Sequence, residues 1–276
     1  MKFLGKAFLV IIFISLYIPF LFSTSAKFQF LSPDYWINAF RAGNVYPNLE
    51  KILTKAFQEQ AREEGANFQD SGILTSILTS GNLQDFIEKN LRLSLDFANG
   101  KSKELKFYIP TEVIPKGLLP AELMKNNEIS PEKLSALFGP QLQQNQTQYQ
   151  AYSQAGRDTL ISFIVSLVIL LGVLLLTYLI TDHGKRLTIP GIALILSSLF
   201  TFLIILFVTA WGKGPAQEMI LNEAEPAAQL LGTLGPPLAA PVLVLWRNIA
   251  LGTLGLGAVF LFLKKPLPKV KKATKK

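Results

Sequence analysis

The residues able to carry chemistry are few and far apart. The chain's one histidine, His183, stands beside Asp182 and close to Lys185. An imidazole next to a carboxylate could relay a proton, but its place in a short basic link makes a solvated loop histidine the expected role. There is no cysteine in the 276 residues. Thiolate ligation and metal sites built from several histidines are therefore excluded within one chain. A serine–histidine–aspartate triad would have to recruit His183, which is expected on the membrane side opposite the large polar domain. Glu63, Glu64 and Asp70 are acids close in sequence, but their spacing matches no calcium loop, and a solvated helix end is expected. No catalytic motif emerges, no cofactor or metal is expected, and the reading leans away from an enzyme.

Three further features suggest chemistry and have plainer roles. The run Gly252-Thr253-Leu254-Gly255-Leu256-Gly257 is glycine-rich, but it lies in an apolar block, lacks the P-loop lysine and follows no strand. Gly252 and Gly255 are read as small residues that let helices approach closely. Arg247 falls about 5 Å inside the fourth apolar block at 1.5 Å per residue, with Trp246 beside it. It is either an interfacial anchor that snorkels to water, with Trp246 suited to the same level, or the partner of an acid. Glu218, Glu223, Glu225 and Asp158 are the available acids. The tail from Lys264 and Lys265 onward holds seven lysines and no acid. Without arginine or interleaved aromatics it offers no stacking element, so nucleic acid is not an expected partner. A topology anchor touching anionic lipid is expected, worth about 1 kcal/mol per lysine near the surface. Asn145-Gln146-Thr147 is a formal glycosylation sequon.

The elements that position these residues follow from an uneven distribution of charge. Only 17% of the chain is charged, against a net charge of +8; soluble domains carry about 25%. The charge collects in one long stretch and the remainder is apolar blocks, which excludes a plain soluble enzyme, a disordered chain and a disulfide scaffold. A bilayer-crossing helix needs about 20 apolar residues. Four segments qualify: one about 7–23, then 159–181, 189–211 and 243–263. The first has two readings. Lys2 and Lys6 followed by an apolar run and Thr24-Ser25-Ala26 suit either an uncleaved signal-anchor over 1–26 or a signal peptide cut after Ala26.

Basic residues outside the charged stretch fall mostly on alternate links. Residues 27–158 carry 14 basic and 15 acidic side chains, and 212–241 holds Lys213 against three glutamates. The amino terminus, the 182–188 link and the tail at 264–276 are basic. Cytoplasmic links collect Lys and Arg, so both termini are expected in the cytoplasm, with 27–158 and the loop 212–241 outside, in a multi-pass protein of the cell membrane.

Within 27–158 the punctuation is that of short helices. Ser32-Pro33 and Ser130-Pro131 each offer a serine cap before a first-turn proline. Leu49, Ile52, Leu53, Ala56 and Phe57 place one apolar stripe on a helix over 47–64. Ile73, Leu74, Ile77 and Leu78 suggest a short helix. Leu83, Phe86, Ile87, Leu91 and Leu95 suggest a longer one, capped by Asn82 or Asp85 and ending at Asn99-Gly100. Leu105, Phe107 and Ile109 alternate with Lys106 and Tyr108, and Phe28 and Phe30 flank Gln29, so these two stretches could pair as strands. The uncharged polar run within 141–157 reads as a spacer or as the wet extension of the second span. The fold class is thus an all-α membrane protein: four transmembrane helices with a mostly helical extracytoplasmic domain between the first and second.

Three features resemble a loose group of uncharacterised bacterial four-span membrane proteins. They are Leu31-Ser32-Pro33-Asp34-Tyr35-Trp36, Asn44-Val45-Tyr46 and Asn99-Gly100, within roughly the first 110 residues. The resemblance implies the layout and no activity. The expected function is a binding or assembly protein that presents its outer helical domain to a protein partner or a second copy, with the lipid bilayer as its setting. The alternative is a component of a membrane transporter or a membrane-embedded enzyme. Spans two and three carry no ionisable residue in their apolar runs, which favours the first reading.

Overall fold

A computed structural model describes residues 2–63, 79–112, 127–133, 146–182, 185–212 and 226–263. These residues are mostly helical: α1 (Lys2–Ser25), α2 (Pro33–Ala42), α3 (Val45–Glu63), α4 (Ser80–Ala98), α5 (Gln146–Ile180), α6 (Thr188–Gly212) and α7 (Pro226–Phe262). A π-helical turn, Ala26–Phe30, follows α1 directly. Strands β1 (Phe107–Tyr108) and β2 (Glu128–Ile129) pair antiparallel, Phe107 opposite Ile129. Four stretches are long and apolar enough to cross a membrane: Leu4–Phe30, Ala151–Ile180, Thr188–Ala210 and Gly232–Phe262. Apolar helices of this length fit a lipid bilayer, because a helix satisfies its own amides where water cannot. The chain divides into two compact units: unit 1 is Met1–Ser25, Ser162–Ala210 and Val242–Lys276, and unit 2 is Ala26–Ile161 and Trp211–Pro241.

Unit 1 is built on α1. Phe13, Tyr17 and Leu21 form its core with Leu170 of α5, Ala193 and Leu194 of α6 and Trp246 of α7. These α1 residues recur at four-residue spacing and so share one face. Lipid tails are as apolar as leucine, so helices in a bilayer associate through close packing and polar contacts rather than hydrophobic transfer. Both devices are present. A Cβ on Gly257 would lie 2.9 Å from the Gly191 carbonyl oxygen, and a Cβ on Gly191 would lie 3.0 Å from that of Gly257; only glycine permits this contact of α6 with α7. Tyr17 and Thr253 hydroxyls are 2.7 Å apart, and those of Ser23 and Ser166 are 2.9 Å apart. The buried hydroxyls of Thr177, Thr181, Ser197, Ser198 and Thr201 each donate to a carbonyl three or four residues earlier in the chain.

Unit 2 packs α4 against α2, α3 and β1. At Gly43 α2 ends: the Gly43 N–H donates to the Ala39 carbonyl and the Asn44 N–H to the Arg41 carbonyl. Asn44 then turns the chain with φ of 50°, a left-handed conformation that asparagine tolerates better than most residues. Asn90 holds β1 to α4: its amide donates to the Tyr108 carbonyl at 3.0 Å, and its oxygen accepts the Tyr108 N–H at 2.9 Å. The first part of α5 packs tightly on the end of α4. A Cβ on Gly156 would sit 2.6 Å from the Ala98 carbonyl oxygen.

Several expectations need correction. Phe28 and Phe30 are helical rather than extended, and the partner of β1 is Glu128–Ile129. A chain leaving an apolar span keeps its amides satisfied by continuing the helix, and three residues of alternation are too few to override that. Burial along β1 does not alternate as expected, since Leu105 and Tyr108 are both buried. The segment read as a loop over 212–241 is helical from Pro226, despite Pro236, Pro237 and Pro241 inside it. Side chains of unit 2 satisfy carbonyls in that stretch: the Tyr35 hydroxyl donates to Leu238 at 2.6 Å and the Gln29 amide to Pro241 at 2.8 Å. The polar run is helical from Gln146 and continuous with the second span. α3 begins two residues before the expected start, and α4 begins at Ser80, ahead of Asn82 and Asp85. Ser32 precedes α2 without making a side-chain cap bond, whereas Ser130 Oγ accepts the Lys133 N–H at 3.5 Å. The helix expected over 73–78, and all but 131–133 of the one expected to start at Ser130-Pro131, lie outside the described residues.

Candidate functional site

The residues singled out around the fourth span separate once the helix is formed. Adjacent residues on an α-helix are about 100° apart, so burying one of Trp246 and Arg247 exposes the other. Trp246 is the buried member. Its Nε1 donates to Ser25 Oγ at 2.8 Å, and Phe22 meets its ring edge-on at 4.9 Å. It is therefore a packing residue of unit 1. Arg247 is exposed and forms no ion pair among the described residues; Glu218, Glu223 and Glu225 lie outside them. The glycine run also sorts by rotation. Gly252 and Gly255 face open space, and the packing glycine is Gly257. His183, Glu64, Asp70, Asn145, Lys264 and Lys265 lie outside the described residues. Among those described, no group of three His, Cys, Asp or Glu could hold a metal ion.

The charged chemistry of the described residues gathers in unit 2, along one row of α4. Gln84, Glu88, Arg92, Asp96 and Asn99 are spaced four, four, four and three residues apart, so they share a face. Upstream on this row, Glu88 accepts two hydrogen bonds from the Arg41 guanidinium, at 2.8 and 2.6 Å. It also accepts the Tyr46 hydroxyl at 3.1 Å and the Gln84 amide at 2.9 Å. Burial alone would push the Glu88 carboxyl up. The bonds from Arg41, Gln84 and Tyr46 and the charge of Arg41 outweigh it and hold the carboxyl below its ordinary value. The same cluster raises Tyr46, through burial first and then the Glu88 charge and hydrogen bond. This is a clamp joining α2, α3 and α4.

Downstream, the row lines a polar cavity of about 350 Å³ with Lys27, Asp34 and Lys101. Each member is placed by a local device. Asp34 sits in the first turn of α2, where a negative charge suits the helix dipole. Asn99 donates to the Leu31 carbonyl at 2.8 Å and so fixes the segment before α2. Gly100 takes φ of 71°, a left-handed conformation natural to glycine at a helix end, and Lys101 folds back. Two exposed ion pairs result: Arg92 to Asp34 at 2.8 Å and Lys101 to Asp96 at 3.0 Å. Lys27 has no carboxylate within ion-pair distance among the described residues. The lining therefore carries three cations against two carboxylates, an excess of one positive charge.

Sequence reasoning read the apolar face of α4 and passed over this polar row. The usable signal was the four-residue spacing of unlike charges, Glu88 to Arg92 to Asp96. Comparison with protein-family models, with curated proteins and with solved structures found no match.

Proposed function

We propose that the chain is a membrane-anchored binding or assembly protein. Unit 2 is the part that binds, and the helices of unit 1 hold it at the bilayer. The observation that carries this reading is where the polar chemistry lies. Among the described residues of unit 1 the buried polar side chains are serines and threonines, most of them bonded to backbone of their own helices. An ion or proton pathway would require ionisable groups facing the bundle interior. The charged row and the polar cavity are both in unit 2. The lysine and arginine bias of the links supports unit 2 outside and both termini in the cytoplasm of a cell-membrane protein. The resemblance to bacterial four-span membrane proteins is consistent with that layout.

On this reading α1 stays in the mature protein. Cleavage after Ala26 would remove Phe13, Tyr17 and Leu21 from the core, and with them the fully buried Ser25 that accepts the Trp246 hydrogen bond. Site-specific photo-cross-linking in native membranes tests the binding reading. A cross-linker at exposed Glu104 of unit 2 is expected to capture a discrete protein or a second copy, while one at exposed Leu171 captures lipid. Capture of a discrete protein from Leu171 alone would favour the transporter or membrane-enzyme alternative.

A further inference from the structure

We infer that the polar cavity of unit 2 binds the phosphodiester of a membrane lipid headgroup, with Lys27 supplying the uncompensated charge. The argument begins with the charge count. Arg92 and Lys101 are each engaged by one carboxylate, and Lys27 is left over. An excess of one positive charge suits a group carrying one negative charge, and a phosphodiester is such a group. Charge-assisted hydrogen bonds from lysine and arginine to phosphate are among the stronger ones available. The Arg92 and Lys101 pairs are solvent-exposed, with side chains 50% and 66% accessible, so both cations can turn toward an incoming anion at little cost. Asp34 and Asp96 then face whatever the diester carries, a hydroxyl or an ammonium.

The position of Lys27 selects a lipid over a soluble phosphate. It lies in the last turn of Leu4–Phe30, a helical stretch long enough to cross a bilayer. A lysine there stands where a span leaves hydrocarbon, at headgroup level. The neighbouring sequence has the aromatic character of such a level. Phe28 is exposed, and Phe30, Tyr35 and Trp36 cluster with ring centroids 5.4 to 6.4 Å apart. The cavity volume is near the small end of ligand pockets, roughly 300–1,000 Å³, and suits a headgroup better than a nucleotide.

The assignment rests on unit 2 being the binding part of the chain, but its test is separate from the capture of a protein partner. Full-length protein in mild detergent is mixed with phosphatidylglycerol, with diacylglycerol or with soluble glycerol phosphate, and retention is read by native mass spectrometry. One phosphatidylglycerol per chain is expected to be retained, with little diacylglycerol and little glycerol phosphate. Lys27→Gln should weaken retention about tenfold, and Lys27→Arg should restore it. Lys106→Gln, which removes a surface pair with Glu128 away from the cavity, should change nothing. Melting temperatures of the three variants verify that each is folded. Equal retention by wild type and Lys27→Gln, or equal retention of diacylglycerol, overturns the assignment. So does binding of glycerol phosphate without retention of the lipid.

Discussion

The two units place their polar hydrogen bonds in different ways. In unit 1 most buried hydroxyls are serine and threonine bonded to the preceding turn of the same helix, and helices meet where glycine faces glycine. In unit 2 the polar bonds run between elements: Arg41 to Glu88, Arg92 to Asp34, Asn99 to Leu31, Asn90 to Tyr108. The difference follows from the solvent each composition suits. A helix in hydrocarbon associates by close backbone approach and carries few charges. A unit that meets water can spread charges across its seams, because each partner remains solvated before and after pairing. The lesson is that unit 1 should be sensitive to volume and unit 2 to charge.

The sharpest way to break that contrast is at the glycine contacts. Gly257→Leu places side-chain atoms where the Gly191 backbone already stands 2.9 Å from the Cβ position. It is expected to destabilise unit 1 by about 3 kcal/mol, at the upper end of overpacking. Thermal melts in detergent, followed by helical circular dichroism, give the measurement. Gly255→Ala, on the same helix but facing open space, should be neutral or stabilising by up to about 1 kcal/mol from helix propensity. Equal damage from the two would mean that the rotation of α7 is wrong.

Next in size is Trp246→Phe, which removes the donor to Ser25 and leaves a smaller ring in a buried place. The expected loss is about 1–2 kcal/mol, because hydrogen bonds between membrane helices contribute modestly. A loss below about 0.3 kcal/mol would place Trp246 in lipid instead.

Glu88→Ala should cost unit 2 about 1 kcal/mol, with no change in the melting of unit 1. The pH dependence carries a definite sign. The Glu88 carboxyl is held below its ordinary value in the fold, so its stabilisation is complete above the unfolded value of about 4.3. It is lost as pH falls through the lower folded value. Melting temperatures of wild type and Glu88→Ala should therefore converge in acid and separate at neutral pH. A constant gap across that range would show that Glu88 contributes by packing rather than by charge.

Much of the frame was legible in the sequence. Four apolar runs of about 20 residues have few alternatives to helices in a bilayer, and the four candidate spans fall on them. The helix end at Asn99-Gly100 was readable because asparagine and glycine turn the chain there. The helix over Pro226–Pro241 was not, since four prolines and neighbouring glycines signal a loop locally. What reverses that signal is tertiary: Tyr35, Gln29 and Gly43 pack against its carbonyls. The pairing of β1 with β2 was hidden for a related reason, as two-residue strands have no periodicity. The candidate site was the least legible part. Spacing along α4 put Arg92, Asp96 and Asn99 on one face, but nothing local says that Lys27 and Asp34 come to meet them. Glycine spacing likewise could not tell Gly257 from Gly252 and Gly255, because it leaves the rotation of the helix undetermined.

The central claim is that unit 2 is displayed outside the membrane by helices whose termini remain in the cytoplasm. Cysteine accessibility tests it most directly, because the chain has no cysteine of its own. Single Ser102→Cys and Thr274→Cys variants, expressed in intact cells, are treated with a membrane-impermeant maleimide and then again after lysis. The account predicts that the Ser102 position is labelled in intact cells and the Thr274 position only after lysis. Labelling of the Thr274 position and protection of the Ser102 position in intact cells would contradict it.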